Sequence, residues 1–277
     1  MANLREYHRP ETIEHALQLL SREDLRAAPL GGGTQLAAES GRGLEAAIDL
    51  SALPLAYIAM DGAALRIGGL ARLEELSKAP AVRAFADGLL ADAARLTCTS
   101  LLRSQATVAG TILSPGANGE LASALLVLDA ETQLQTLEGP MTSSISHLLE
   151  KPATCQRAIL IEVRLPEPPF GSLIRRERIA RTPADRSIVS VTVVAQMASG
   201  SIAACRIAAA GAGLRPMRLR NVETALAGAV ARVDLIDSAL KKEAALLELP
   251  DSPLASAEYR RAMLPVLISR AMLRSNG

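Results

Sequence analysis

"LGGGTQL", residues 30–36, and "ATVAGTILSPGANGE", residues 106–120, are the two stretches on which the fold turns. Glycine gives up more backbone freedom on ordering than any other residue, so three in a row mark a place that needs main chain without side chains. A hinge or tight turn accounts for the first stretch taken alone. The second has the same character, with small residues among the hydroxyls of Thr107, Thr111 and Ser114. Successive free N–H groups in such loops form a concave nest that binds phosphate oxygens without a lysine or arginine. Two facing nests, each at a strand-to-helix turn, suit a diphosphate. Other phosphate motifs fail. No Lys-Ser/Thr pair follows the first loop, as a Walker loop requires, Leu36 breaks G-x-G-x-x-G, and "GAGLRP" at 211–216 does not fit either.

Working outward, "TIEHALQLLSRE" places Ile13, Ala16, Leu17, Leu19 and Leu20 on one helix face, with Thr12 as its cap. "RAAPL" and "LEAAIDL", ending at Asp49, read as short strands, so the opening unit is β-α-β with the glycines at a turn. "AYIAMDGAALRIGGL" gives two short strands around "MDGA". Residues 71–96 read as helical with a break near Pro80. The stretch from 104 begins as irregular loop and passes into a helix from about Leu121, then a strand; "AILIEVRLP" is another strand. "LPEPPFGS", 165–172, is the best domain boundary, with three prolines and a glycine. Beyond it come strands flanking "ASGS" and then three helical patterns, an α+β unit. Pro265 is expected to kink the last helix or mark its first turn.

The chain has 277 residues, enough for two or three packed units, and a formal net charge of +1. That balance offers no electrostatic reason to expect a nucleic acid or a membrane surface as partner. The densest basic cluster, "IRRERIAR" at 174–181, is interrupted by Glu177 and reads as a solvated or interface face. Apolar residues make up 49% but aromatics only 2%, so a planar ligand would lean on aliphatic side chains or a partner chain. The N-terminus lacks the apolar core of a secretory signal, and no run approaches a membrane span, which implies a cytoplasmic protein. Cys98, Cys155 and Cys205 are far apart and form no metal-ligand set with His8, His15 and His147, so they read as small buried residues. No Ser-His-Asp or Cys-His constellation for nucleophilic catalysis is visible.

"PLGGGTQLAAESGRGLEAAIDLSALP", "LRIGGLARLEEL" and "LLRSQATVAGTILSPGANGELASALLVLDAETQL" resemble the FAD-binding medium subunit of molybdenum hydroxylases, the family of xanthine dehydrogenase and aerobic carbon monoxide dehydrogenase. That family's loops run Ala-Gly-Gly-Thr/His-Asp/Ser-Leu and Arg-Asn-x-Ala-Thr-Ile/Val-Gly-Gly-Asn, in this order. "RIARTPADRSIVSVTVVAQ", "GAGLRPMRLRNVETALAG" and "SAEYRRAMLPVLISRAM" resemble its C-terminal domain, so the similarity covers nearly the whole chain. The resemblance implies an α+β protein. Its FAD-binding part would be the two-lobed fold of vanillyl-alcohol oxidase and p-cresol methylhydroxylase, with lobes at 1–54 and 55–168. A C-terminal domain of three antiparallel strands and a helical bundle would follow at 172–277.

It also implies FAD as cofactor. The pyrophosphate would lie on the loop Leu30, Gly31, Gly32, Gly33, Thr34, Gln35 and Leu36. The second cradle would be Thr107, Val108, Ala109, Gly110 and Thr111, with Ser114. Glu120 stands where the family has an Asp bonded to ribityl or ribose hydroxyls. Leu160 or Ile161 would lie near the adenine or flavin edge, and Arg178 near the isoalloxazine. The implied partners are a small [2Fe–2S] subunit and a large molybdopterin-cofactor subunit, in a heterotrimer or a dimer of heterotrimers. Electrons would pass through FAD to an external acceptor. Four departures bear on this: Ala109 for a glycine, Gln35 for Asp or Ser, Glu120 for Asp, and Arg186 where the family has an aromatic. They define the rival reading, an assembly subunit of the same complex with a weakened or lost FAD site. A stand-alone oxidase of the vanillyl-alcohol type is disfavoured, because no substrate-side base or aromatic cage is visible.

Overall fold

Parallel pairing near the N-terminus and antiparallel pairing beyond it divide the strands into three sheets. The structure, a computed structural model, describes residues 4–38, 43–113, 119–151, 157–182, 185–243, 247, 249 and 251–273. The first sheet holds β1 (Glu6–His8), β2 (Ala27–Leu30) and β3 (Ala46–Asp49), in the order β1-β3-β2. The crossover from β1 to β2 is α1 (Ile13–Leu20), capped at Thr12, whose hydroxyl accepts from the His15 amide at 3.2 Å. Ala16, Leu17 and Leu20 of α1 pack with Ala46 and Ile48 of β3. The short helix α2 (Thr34–Ala38) follows the glycines directly. β1 was not legible in the sequence, because three residues are too few for an alternating pattern.

The second sheet contains β4 (Ile58–Asp61), β5 (Ala64–Gly68), β6 (Glu131–Thr136), β7 (Gly139–Ser144) and β8 (Ile159–Leu165), ordered β4-β5-β8-β6-β7. With it go α3 (Leu73–Lys78), α4 (Pro80–Ala84), α5 (Leu89–Thr97), α6 (Ser100–Arg103), α7 (Val108–Leu113), α8 (Gly119–Val127) and α9 (Ile145–Glu150). The break at Pro80 is present, with the proline in the first turn of α4. A second break follows at Ala86, Asp87 and Gly88, all with positive φ. The expected irregular loop around 108–113 is instead the helix α7.

The third sheet is β9 (Leu173–Ile179), β10 (Val189–Ala198), β11 (Ser201–Ala210) and the two-residue β12 (Met217–Arg218), ordered β12-β11-β10-β9. Ser199 and Gly200, at φ 50° and 80°, turn β10 into β11, as a tight hairpin requires. α10 (Arg220–Leu226), α11 (Val233–Glu243) and α12 (Ala257–Leu273) join Val191, Val193 and Ile207 in one core. α12 runs through Pro265 in its interior instead of starting there. The "IRRERIAR" cluster is mostly β9, with Ile174 buried, residues 175–180 half-buried and Arg181 exposed.

α8 locks the second and third units together. Every residue from Glu120 to Val127 is buried, as for a helix enclosed on all sides. It lies against α5 on one side and β10 and β11 on the other. Arg206 of β11 and Arg218 of β12 donate to the carbonyls of Val127 and Leu126 at 3.0 and 3.3 Å, and both pair with Asp129. Cations at a helix C-terminus satisfy its orphan carbonyls and oppose its dipole. Among the described residues no helix is long and apolar enough to cross a membrane.

β8 carries a buried charge that the sequence did not advertise. Glu162 is 1% exposed and accepts from Tyr57 at 2.6 Å and from Arg66 at 2.8 Å. Burial pushes its carboxyl up, but these hydrogen bonds outweigh burial and hold it below the ordinary value. The Tyr57 phenol is pushed up to about 12, first by burial and then by its bond to Glu162. A carboxyl lowered by folding adds stability above its unfolded value and loses it as pH falls through the folded one. Arg66→Ala leaves that buried carboxylate with Tyr57 as a donor but without its cation, so we expect lower stability at pH 7. The loss should shrink in acid, as pH falls through that lowered value and Glu162 takes up a proton. Urea denaturation of the wild type and the variant at pH 7 and in acid measures it.

Candidate functional site

The two small-residue loops meet. They line one cavity of about 350 Å³ with Gly31, Thr34, Gln35 and Leu36 on one side and Thr107, Ala109, Gly110 and Thr111 on the other. Leu70, Leu102, Leu113, Ile159 and Leu160 supply much of the apolar wall. Among the described residues that line it there is no aromatic ring.

The three glycines answer to three different demands. A Cβ on Gly31 would lie 2.9 Å from the Thr107 hydroxyl oxygen, so here the two loops touch. A Cβ on Gly32 would lie 1.8 Å from the carbonyl oxygen of Gln105, which no rearrangement of a side chain relieves. Gly33 has φ 71°, the left-handed region that glycine occupies without steric cost. The run is therefore required by chain packing against chain as much as by any ligand. Among the described residues the amides of Gly31, Gly32 and Gly33 donate to no other group. They remain available as a nest.

The second loop differs from the expectation of free amides. Its helical conformation turns its N–H groups inward. The Val108 amide donates to Ala71 and the Ala109 amide to Gly69, both at 2.9 Å. Gly110 donates to the Thr107 hydroxyl at 3.2 Å, the bond of a helix N-cap. The Thr111 amide and hydroxyl both donate to the Thr107 carbonyl. These amides are spent within the protein. In the same helix, Ala109 needs no glycine-like freedom.

Other expected residues are placed as follows. Leu30 is half-buried at the end of β2 and Val108 is buried in the main core; neither lines the cavity, nor do Gly32 and Gly33. Leu160 lines it, whereas Ile161 packs toward the N-terminal core. Ser114 and Cys155 lie outside the described residues. Glu120 lines a second cavity of about 290 Å³, together with Ser187, Gly211, Arg215 and Arg260, between α8 and the third sheet. It accepts from the Ser187 hydroxyl and faces Arg176 at 3.7 Å, yet its Oε2 is buried with no hydrogen-bond partner. Arg178 lines neither cavity. It donates to the Asp185 carbonyl at 3.0 Å and to the Ser187 hydroxyl at 3.4 Å, because the β9–β10 turn brings those residues back over it.

Sequence reasoning missed two lining residues of chemical interest. Cys98 is a half-buried thiol, pushed up by burial against the opposing effect of Arg103 and Arg186. Arg186 lines both cavities. Its signal was present only as a departure from the family's aromatic at that position.

The residues fit a dinucleotide: the free Gly31 amide lines one cavity with those of Gly32 and Gly33 next to it in the chain, and an unsatisfied buried carboxylate oxygen belongs to a residue lining the next. A protein-family model described as "FAD binding domain in molybdopterin dehydrogenase" matches residues 2–168. A second, "CO dehydrogenase flavoprotein C-terminal domain", matches 177–275. The chain is 30% identical to the "Uncharacterized protein YgfM" of Escherichia coli (strain K12), over 96% of this chain and 94% of that one. It is 27% identical to the "Nicotine 6-hydroxylase medium subunit" of Paenarthrobacter nicotinovorans, over 97% and 96% of the two chains. Its fold superposes on a chain of the carbon monoxide dehydrogenase of Hydrogenophaga pseudoflava with a TM-score of 0.86 at 25% identity, covering 96% and 95%.

The glycine geometry separates three variants. Gly32→Ala should cost about 1–3 kcal/mol, the range for overpacking, since the clash is with main chain. Gly33→Val should cost a similar amount through backbone strain, while Gly33→Asn, which tolerates that φ, should cost less. Urea unfolding midpoints of the three rank them.

Proposed function

The chain belongs to the family of FAD-binding domains of molybdopterin dehydrogenases, and we propose that it serves as the electron relay of a three-subunit enzyme. It is an FAD-binding oxidoreductase subunit of the molybdenum hydroxylase type. In our reading it takes electrons from the [2Fe–2S] clusters of a small partner and passes them to an external acceptor in the cytoplasm. A large molybdopterin-cofactor subunit holds the substrate, and a heterotrimer or its dimer is the working assembly. Residues 1–54, 55–168 and 172–277 act as its three domains.

FAD, when bound, supplies a centre that stores an electron pair and exchanges electrons singly. The chain's residues bind and orient it. Gly31, Gly32 and Gly33 offer main-chain amides to the diphosphate, with the hydroxyls of Thr34 and Thr107 beside them. Leu30 and Val108 hold the two loops from behind. Leu36, Leu70, Ala109 and Leu160 keep water from the cavity, and the free oxygen of Glu120 takes a sugar or ribityl hydroxyl. Such a relay needs no protein acid, base or nucleophile.

One observation carries this reading: both loops line a single cavity while the amides of the first are unspent. A second observation favours the rival, an assembly subunit with a weakened site, because the α7 amides are spent. Flavin content separates the two. The purified full chain should carry about one FAD, released on denaturation. In a Cys155→Ser/Cys205→Ser variant, iodoacetamide should reach Cys98 slowly at pH 7.5 and faster above pH 9, since burial raises its thiol. Added FAD should slow that labelling several-fold. A colourless chain that takes up no FAD, with unprotected Cys98, supports the assembly reading instead.

A further inference from the structure

Arg186 is the only charged side chain among the described residues lining the first cavity, and it lines the second as well. Among the described residues it is also the one that the third unit contributes to the first cavity; the others come from 28–113 and 158–160. Among the described residues no hydrogen bond or ion pair engages its guanidinium. Its neighbours, by contrast, are fixed. Arg178 holds the Asp185 carbonyl and the Ser187 hydroxyl, and Ser187 in turn donates to Glu120. An unpaired cation is thus carried on a braced segment. The other guanidiniums of the second cavity are committed to main chain: Arg260 to the carbonyls of Ile188 and Gly211, Arg215 to that of Leu149.

The charge balance of the first cavity calls for such a group. A diphosphate brings negative charge into a wall that is mostly apolar, and unpaired charge there is costly. The amides of α7 are spent, and those of Gly31–Gly33 supply only partial charges. A guanidinium supplies a full charge and a planar fork of donors.

We propose that Arg186 is the cationic contact of bound FAD, its guanidinium set against the cofactor's negative charge where the two cavities meet. This rests on the FAD-binding reading above. Arg178 and Glu120 are then positioning residues that aim the segment bearing it. Two parts of the cofactor carry negative charge, the diphosphate in every state and the ring system once reduced, and the experiment distinguishes them.

The full-length chain, stripped of flavin, is titrated with FAD and with riboflavin, and the midpoint potential of the bound flavin is measured. Arg186 is exposed and unpartnered, so Arg186→Gln should unfold at the wild-type temperature. It should weaken FAD binding about tenfold or more, the effect of losing a charge-assisted contact. Arg186→Lys, which keeps the charge without the fork, should recover part of the loss. If the diphosphate is the contact, oxidised and reduced FAD weaken alike and riboflavin binding is unchanged. If the ring is the contact, the reduced form weakens more, and the two-electron potential falls by about 30 mV for each tenfold difference. Unchanged FAD affinity together with unchanged potential in Arg186→Gln overturns the inference. A wild-type chain that takes up no FAD overturns the reading beneath it, and that result needs no variant.

Discussion

The contact between the main chain of Gly32 and the carbonyl of Gln105 leaves no room for even a methyl group. Around that contact the remaining geometry of the site is arranged. It sets the first loop against the segment that enters α7, so that Gly31 meets Thr107 and the two loops share one cavity. It also lets the β2 strand end in a turn whose amides face away from the protein's own acceptors. Close-packed interiors do not deform continuously, so a backbone contact of this kind fixes loop positions more firmly than side-chain packing would.

α8 performs the corresponding task at the second cavity. Its burial on all sides places Glu120 at its start, against Ser187 and Arg176, and its C-terminal carbonyls against Arg206 and Arg218. The second and third units are joined by this helix and by Ile174, Val194 and Ala208, which belong to the same core as the second sheet. Arg186, which follows β9 and precedes β10, lines both cavities.

Much of the architecture was legible because it is local. α1 and its Thr12 cap, the hairpin around Gly62, the break at Pro80 and the strand of "SIVSVTVVAQ" follow from periodicity and turn chemistry within short windows. Three elements were not. β1 is too short for a pattern. The break at Ala86 and Asp87 places two non-glycine residues in the left-handed region, which propensity argues against. α7 was hidden because Thr and Gly are weak helix formers, and its first turn is held by Gly69 and Ala71 from a distant strand end.

The amino-acid sequence by itself determined the family, the order of the two small-residue loops, and the division of apolar residues between strand and helix periods. These depend on residue type and spacing alone. Only the tertiary structure decided which amides remain free among the described residues, that Glu120 lines a second cavity, that Arg178 is bound to the 185–187 segment, and that Arg186 lines both cavities with no partner among the described residues. The physical reason is that a hydrogen bond or a charge is satisfied by whatever the fold brings within about 3 Å, and several of those partners are remote in sequence, as Ala71 is for Val108 and Ser187 for Glu120.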